Sequence, residues 1–257
     1  MKYPYPKFIA HRGGGNAAPE NTLAAFELGV EKGYTMFECD VKLSADETLF
    51  LLHDDTLDRT TSGQGSAKLD WQRLSQLDAG SWFSANFQGE PVARLDDIVH
   101  FVLKKGCFLN VEIKPNPGQD YKTGMACAKF LQQFEQEGKP SPFLLSSFSE
   151  EALQGAYDAH TATPRALLLD EWRDSAWETV SALECVGFVL NYQIASQELV
   201  AQCHMIDRFV MVYTANEPRD IKRLFNNGVD GVITDNMNFA QSYEGLMLQK
   251  SQIKIGL

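Results

Sequence analysis

Short apolar runs rich in β-branched residues alternate with helical patterns from one end of the chain to the other. Eight runs read as strands: FIAH (8–11), MFECDV (36–41), FLNVEIK (108–114), FLLSSF (143–148), RALLL (165–169), GFVLNY (187–192), FVMVYT (209–214) and GVITD (231–235). Between them, apolar residues recur at helical spacing with start and stop signals. Asn21-Thr22 opens a helix that turns Leu23, Phe26 and Val30 inward and closes at Gly33. Ser149 opens another, with Glu150 and Glu151 in the first turn, where the helix dipole favours acids. Pro218 begins a third, with Ile221, Leu224 and Phe225 inward and Gly228 past its end.

Eight strand–helix units in 257 residues predict an α/β fold, a (β/α)8 TIM barrel, with an open doubly wound sheet as the alternative. Two stretches break the alternation. KLSADETLFLLHD (42–54) reads as a hairpin arm that turns at Ala45-Asp46-Glu47. Residues 55–93 are irregular, rich in Gly, Ser, Thr and Asp, and carry Trp71 and Trp82. They predict a small insertion on a single barrel domain spanning 1–257, with the two tryptophans as the core of that lobe.

Composition narrows the class. A formal net charge of −11 without any Lys/Arg cluster argues against nucleic acid as partner. The five cysteines are odd in number and lack CxxC spacing, as expected for reduced core thiols in a cytoplasmic protein. MKYPYPK has no apolar signal-peptide core, and no apolar run nears the ~20 residues of a membrane span. No membrane anchoring is expected, and the oligomeric state is left open.

Active sites of barrels form at the C-terminal ends of the strands. His11-Arg12 ends the first strand, Glu38 and Asp40 the second, and Glu112 and Lys114 the third, while His53-Asp54 ends the hairpin arm. Period two puts Glu38 with Asp40, and Glu112 with Lys114, on one face each. Glu38, Asp40 and Glu112 make a hard-oxygen set suited to one divalent ion, Mg²⁺ or Ca²⁺, with His53 open as a fourth ligand. His11 and His53 suggest one proton acceptor and one donor, and Arg12 and Lys114 suit phosphate oxygens. Phe148 and Tyr213 either contact substrate or pack the barrel mouth. Asp170 and Glu171 read as loop acids, Glu20 and Asn21 as helix-start residues, and His100, His160 and His204 as surface or packing groups.

AHRGGGNAAPENT (10–22), ECD, LLHDD and NVEIKP, followed by LLSSF, VYTAN and GVDGVITD, resemble in order and spacing the glycerophosphodiester phosphodiesterases. LLLDEWRD and DAGSWFS are most similar to the cytosolic bacterial members. The resemblance covers nearly the whole chain. It implies a barrel with an insertion after the HD motif and metal-dependent hydrolysis of glycerophosphodiesters, such as glycerophosphocholine, to sn-glycerol 3-phosphate and an alcohol. By the same resemblance His11 is the general base and His53 the general acid, the substrate's own 2-hydroxyl attacks phosphorus, Glu38, Asp40 and Glu112 hold the metal, and Arg12 and Lys114 bind phosphate. Tyr213 departs from the tryptophan many members carry. The rival expectations are a lysophospholipase D-like enzyme and a barrel that binds without catalysis.

Overall fold

The alternation closes on itself. The computed structural model describes residues 3–136 and 138–242. Its strands are β1 Phe8–Ala10, β2 Met36–Leu43, β3 Leu49–Leu51, β4 Phe108–Ile113, β5 Phe143–Ser147, β6 Arg165–Leu169, β7 Gly187–Asn191, β8 Phe209–Tyr213 and β9 Gly231–Thr234. All but β3 are parallel, and β1 pairs with both β9 (Ile9 beside Ile233) and β2 (Ala10 beside Phe37). That double pairing rules out the open sheet and makes a (β/α)8 barrel. The helices are α1 Leu23–Glu31, α2 Trp71–Leu74, α3 Leu95–Lys104, α4 Asp120–Gln132, α5 Glu150–Ala159, α6 Ala176–Ala182, α7 Gln197–Met205 and α8 Pro218–Asn226.

Side chains alternate along each strand, so every strand serves two cores. Phe37, Cys39 and Val41 of β2 face the helices, in the large layer between strands and helices. Met36 joins Ile9, Leu144, Val189 and Met211 in the barrel interior. Tyr5 and Phe209 belong to the same interior cluster; the Tyr5 ring meets Phe108 and Phe209 edge-on, and its hydroxyl donates to the Phe143 carbonyl at 3.1 Å. All five cysteines are buried free thiols. Among the described residues no helix is long and apolar enough to cross a membrane.

Local signals decide most boundaries. Ser149 and Ser196 cap α5 and α7 by accepting the amide three residues on, and Pro218 occupies the first turn of α8. Helix α1 is capped by Thr22, not Asn21, whose backbone is left-handed at φ 60°. Helices α4 and α5 cross with their backbones in contact, because Gly124 and Gly155 carry no side chain: a Cβ on either would overlap the carbonyl oxygen of Ala152 or Tyr121. Strand β2 runs past Asp40 to Leu43, further than its apolar run suggests. The antiparallel arm β3 extends it through the pairs Val41–Leu51, Lys42–Phe50 and Leu43–Leu49.

Between β3 and α3 the chain folds over a small core of Phe50, Leu52, Leu57, Ala67, Leu74 and Val92. Trp71 packs against this core. Trp82 departs from expectation: it is 39% exposed, edge-on to Phe83, with its indole N–H satisfied by the Ala79 carbonyl.

The buried cation Arg165 belongs to the scaffold. Arg165, 1% exposed at the start of β6, donates to the carbonyls of His160, Thr161, Thr163 and Leu183 and lies over the Tyr157 ring. Arg165→Leu strands these carbonyls away from water. It should lower the unfolding free energy by roughly 3 kcal/mol in urea titrations, with cation affinity in the folded protein unchanged.

Candidate active site

Register assembles the carboxylates. Asp40 on β2 lies directly beside Glu112 on β4, and Glu38 beside Asn110, all pointing into the barrel. Oxygens of Glu38, Asp40 and Glu112 lie within 4.8 Å of one another. Glu38 and Asp40 are each 1% exposed. The Arg12 amide donates to Glu38 Oε2 at 2.9 Å, while Glu38 Oε1 is buried with no hydrogen-bond partner. Asn21 clamps Asp40 twice, donating from Nδ2 at 2.8 Å and accepting the Asp40 amide at 3.1 Å. Asn110 and the Ser146 hydroxyl, neighbours of Glu38 and Glu112 in register, also hold buried polar atoms without partners. The interior beneath the cluster is therefore polar down to its apolar floor.

Three buried acids at this spacing cannot all stay charged unaided. Burial, then the charges of Asp40 and Glu112, pushes Glu38 up to about 8. Burial and Asp40 raise Glu112 as well. Burial works against the Asp40 carboxylate too, yet Arg12, Lys114 and His53 hold it below its usual range.

Both histidines sit just past strand ends with a carboxylate on Nδ1. His11 follows β1, and its Nδ1 lies 2.6 Å from Asp235 Oδ1, just past the adjacent β9; its Nε2 is 3.9 Å from Glu38 Oε2. Asp235 is held in turn by Asn216 Nδ2 at 2.8 Å. His53 Nδ1 lies 2.6 Å from Asp54, and its Nε2 is 2.8 Å from Lys114 Nζ. Burial disfavours the charged form of each ring. Asp235 and Glu38 nevertheless raise His11, whereas Arg12 and Lys114 help keep His53 lowered.

The two cations are balanced by acids. Arg12 Nη1 donates to Glu20 at 2.8 Å and its Nε is 3.2 Å from Asp40. Lys114 Nζ donates to Glu112 at 3.1 Å and lies 3.7 Å from Asp40. Beyond Lys114 stands an aromatic pair: Phe148 lies 5.8 Å from its ammonium, and Tyr213 meets Phe148 edge-on at 5.7 Å. The Tyr213 hydroxyl donates to Asp170 at 2.6 Å.

The structure thus brings His11, Arg12, Glu38, Asp40, His53, Glu112, Lys114, Phe148 and Tyr213 to one mouth of the barrel. It also overturns several bland readings. Asn21 and Glu20 serve the site instead of the helix start, and Asp170 is a partner of Tyr213. Asp235 and Arg59 are not singled out from sequence, and Asp54 is named there only as ending the hairpin arm beside His53. Asp235 had a signal, an acid ending a strand in GVITD, but its partner is fixed only by barrel closure. His100, His160 and His204 pair with Asp96, Thr163 and Asp230, away from the cluster.

Residues 11–239 match the model of the glycerophosphoryl diester phosphodiesterase family. A glycerophosphodiester phosphodiesterase of Caldanaerobacter subterraneus subsp. tengcongensis is 32% identical over 88% of this chain and 93% of its own. One from Bacillus subtilis is 29% identical over 88% and 82%. Among solved structures, an Oleispira antarctica phosphodiesterase in complex with the product sn-glycerol-3-phosphate superposes with a TM-score of 0.86 at 33% identity, covering 93% of this chain and 96% of that one.

The raised Glu38 gives a pH signature. A glutamate that titrates near 4.5 when unfolded and near 8 when folded binds more protons in the folded state between those values. Stability in chelator should therefore fall as pH rises through that window. The raised His11 adds to this trend and the lowered His53 opposes it, while the lowered Asp40 and Asp235 act only at more acid pH. Thermal melts in chelator across pH 4–9 check the fall. Adding Mg²⁺ or Ca²⁺ at about one hundred times its Kd should flatten it and contribute about 2.7 kcal/mol.

Proposed function

The chain belongs to the glycerophosphoryl diester phosphodiesterase family, and we propose that it hydrolyses glycerophosphodiesters, such as glycerophosphocholine or glycerophosphoethanolamine, to sn-glycerol 3-phosphate and an alcohol with one divalent cation and a histidine pair. The observation that carries this reading is the disposition of His11 and His53. Each has Nδ1 held by a carboxylate, leaving Nε2 turned towards the carboxylate–cation cluster.

Glu38, Asp40 and Glu112 fit Mg²⁺ or Ca²⁺: their oxygens are hard donors within 4.8 Å of one another, and one Glu38 oxygen lacks any donor. An ion held by these three carboxylates would supply positive charge to offset the negative charge developing on the phosphodiester oxygens. Arg12, with its planar fork, and Lys114 bind the same oxygens and hold phosphorus in line for attack. His11 Nε2 accepts the proton of the substrate's 2-hydroxyl as that oxygen attacks. His53 Nε2 gives a proton to the departing alcohol oxygen. Water then opens the cyclic phosphate with the roles reversed: His53 accepts its proton and His11 returns one to the 2-oxygen. Phe148 and Tyr213 pack against the glycerol carbons.

The proton affinities described above run against these roles, with His11 raised and His53 lowered. Neutralising Glu38 removes one of the charges that raise His11. A phosphate anion that draws Lys114 off His53 Nε2 favours the imidazolium needed in the acid. We assign the reaction to one barrel domain with its insertion, to a small-molecule substrate, and to the cytoplasm, where the five buried thiols stay reduced.

Metal-stripped protein assayed on glycerophosphocholine, glycerophosphoethanolamine and lysophosphatidylcholine, with Mg²⁺ or Ca²⁺ restored separately, tests this directly. Turnover of the first two should return with the ion and yield sn-glycerol 3-phosphate. Activity that survives chelation, or that favours lysophosphatidylcholine, rejects the reading. His11→Ala and His53→Ala should each lower kcat by about 10²–10⁴ while the protein still folds, as circular dichroism would show. A phosphodiester analogue lacking the 2-hydroxyl should bind and resist cleavage; its ready hydrolysis would exclude the cyclic route.

A further inference from the structure

A second layer of charge surrounds the catalytic groups, and one residue closes it. Arg59 lies on the turn after Leu57 in the segment between β3 and α3, with its side chain 43% exposed. That turn is pinned: Leu57, Thr60 and Thr61 are buried, the Thr61 amide and hydroxyl both bond the Leu57 carbonyl, and the Leu57 amide bonds Gly65. From this fixed base the guanidinium grips two carboxylates, each by two nitrogens. Nε and Nη2 donate to Asp54 at 2.7 and 2.9 Å, and Nη1 and Nη2 donate to Glu20, both at 2.8 Å. Asp54 in turn holds His53 Nδ1, and Glu20 holds Arg12 Nη1.

The contacts form a closed ring of seven groups, acid and base in turn except where His53 meets Lys114. Arg12, Glu20, Arg59, Asp54 and His53 follow one another within hydrogen-bond distance. His53 meets Lys114 at 2.8 Å, Lys114 lies 3.7 Å from Asp40, and Asp40 lies 3.2 Å from Arg12. Arg59 is the one member drawn from the irregular insertion, and it touches neither phosphate-binding cation nor histidine.

We infer that Arg59 is a positioning residue: by gripping Asp54 and Glu20 together it fixes the tautomer and aim of His53 and the direction of Arg12, so that the insertion completes the active site. This rests on the reading of His53 as acid and Arg12 as phosphate ligand given above. The Arg59 side chain is 43% exposed, so solvent screening keeps the stability share of its two forks modest, and the main consequence is geometric. Without Arg59, Asp54 is free to turn off His53 Nδ1, and Glu20, its other partner gone, pulls Arg12 away from the phosphate. A lysine supplies one point charge and cannot hold two carboxylates by a fork.

The test compares wild type, Arg59→Ala, Arg59→Lys and His53→Ala on glycerophosphocholine with saturating divalent ion, following kcat, KM, Tm and cation affinity by calorimetry. Arg59→Ala should lose kcat by about 10²-fold, the cost of roughly 1 Å of misplacement, with a several-fold rise in KM. Its Tm should fall by no more than a few degrees, and its cation affinity should stay within a few-fold of wild type. Methylguanidinium should restore part of the kcat of Arg59→Ala and none of that of His53→Ala, and Arg59→Lys should fall between wild type and alanine. Wild-type kcat in Arg59→Ala, or a loss that tracks a lowered Tm and is not relieved by methylguanidinium, overturns the inference. Inactive wild type, or active His53→Ala, would instead sink the underlying catalytic reading.

Discussion

Everything at the mouth of this barrel answers to one constraint, the mutual repulsion of Glu38, Asp40 and Glu112. Their oxygens lie within 4.8 Å of one another and Glu38 and Asp40 are almost wholly shielded from water. Two unit charges about 4 Å apart repel by roughly 4 kcal/mol at an effective dielectric of about 20, so three together would splay a flexible scaffold. A closed barrel cannot splay. Residues 38 and 40 share a face by strand period, and the β2–β4 register sets Glu112 beside Asp40. The repulsion is therefore stored as an affinity for positive charge, which Arg12, Lys114 and His11 partly satisfy and which the proposed divalent cation would satisfy further.

The same repulsion explains why neither cation is idle. Arg12 lies between Glu20 and Asp40, and Lys114 between Glu112, Asp40 and His53. With both as phosphate ligands, as proposed above, an entering phosphate has to compete for each, so its binding and the rearrangement of carboxylate partners would be a single event. Lys42 shows the contrast. Wholly buried, it ties the Lys114 carbonyl to Asp55 at the root of the insertion and serves the framework alone.

The sequence made legible what local rules control. Strands were marked by apolar runs, α5 and α8 by Ser149 and Pro218, and the carboxylates and histidines by the anomaly of charge at inward strand positions. What local rules do not control was hidden. Closure through Ala10–Phe37 is a long-range fact, and without it Asp235 has no reason to meet His11. Arg59 lies in a stretch with no periodicity, where nothing distinguishes it from a solvated surface arginine. Asn21 and Thr22 both suit a helix start. Only the tertiary demand of Asp40 decides that Thr22 caps the helix while Asn21 turns away.

That decision carries a backbone cost. Arg12 and Asn21 are both left-handed, at φ 50° and 60°, a region that costs residues with a Cβ about 1 kcal/mol or more. Gly15 between them is also left-handed and presses so closely on the Asp235 backbone that a Cβ would overlap it. The glycine has space as its reason; the other two have chemistry. The turn at Arg12 aims its amide at Glu38 Oε2 while its guanidinium reaches Asp40 and Glu20. The turn at Asn21 lets one side chain bond both the carboxylate and the amide of Asp40, while its own amide returns to the Arg12 carbonyl. Glycine at either position would relieve the backbone and forfeit the side chain that the carboxylates need. The strain persists because leaving a buried carboxylate without its partner costs more than holding two residues in a left-handed turn.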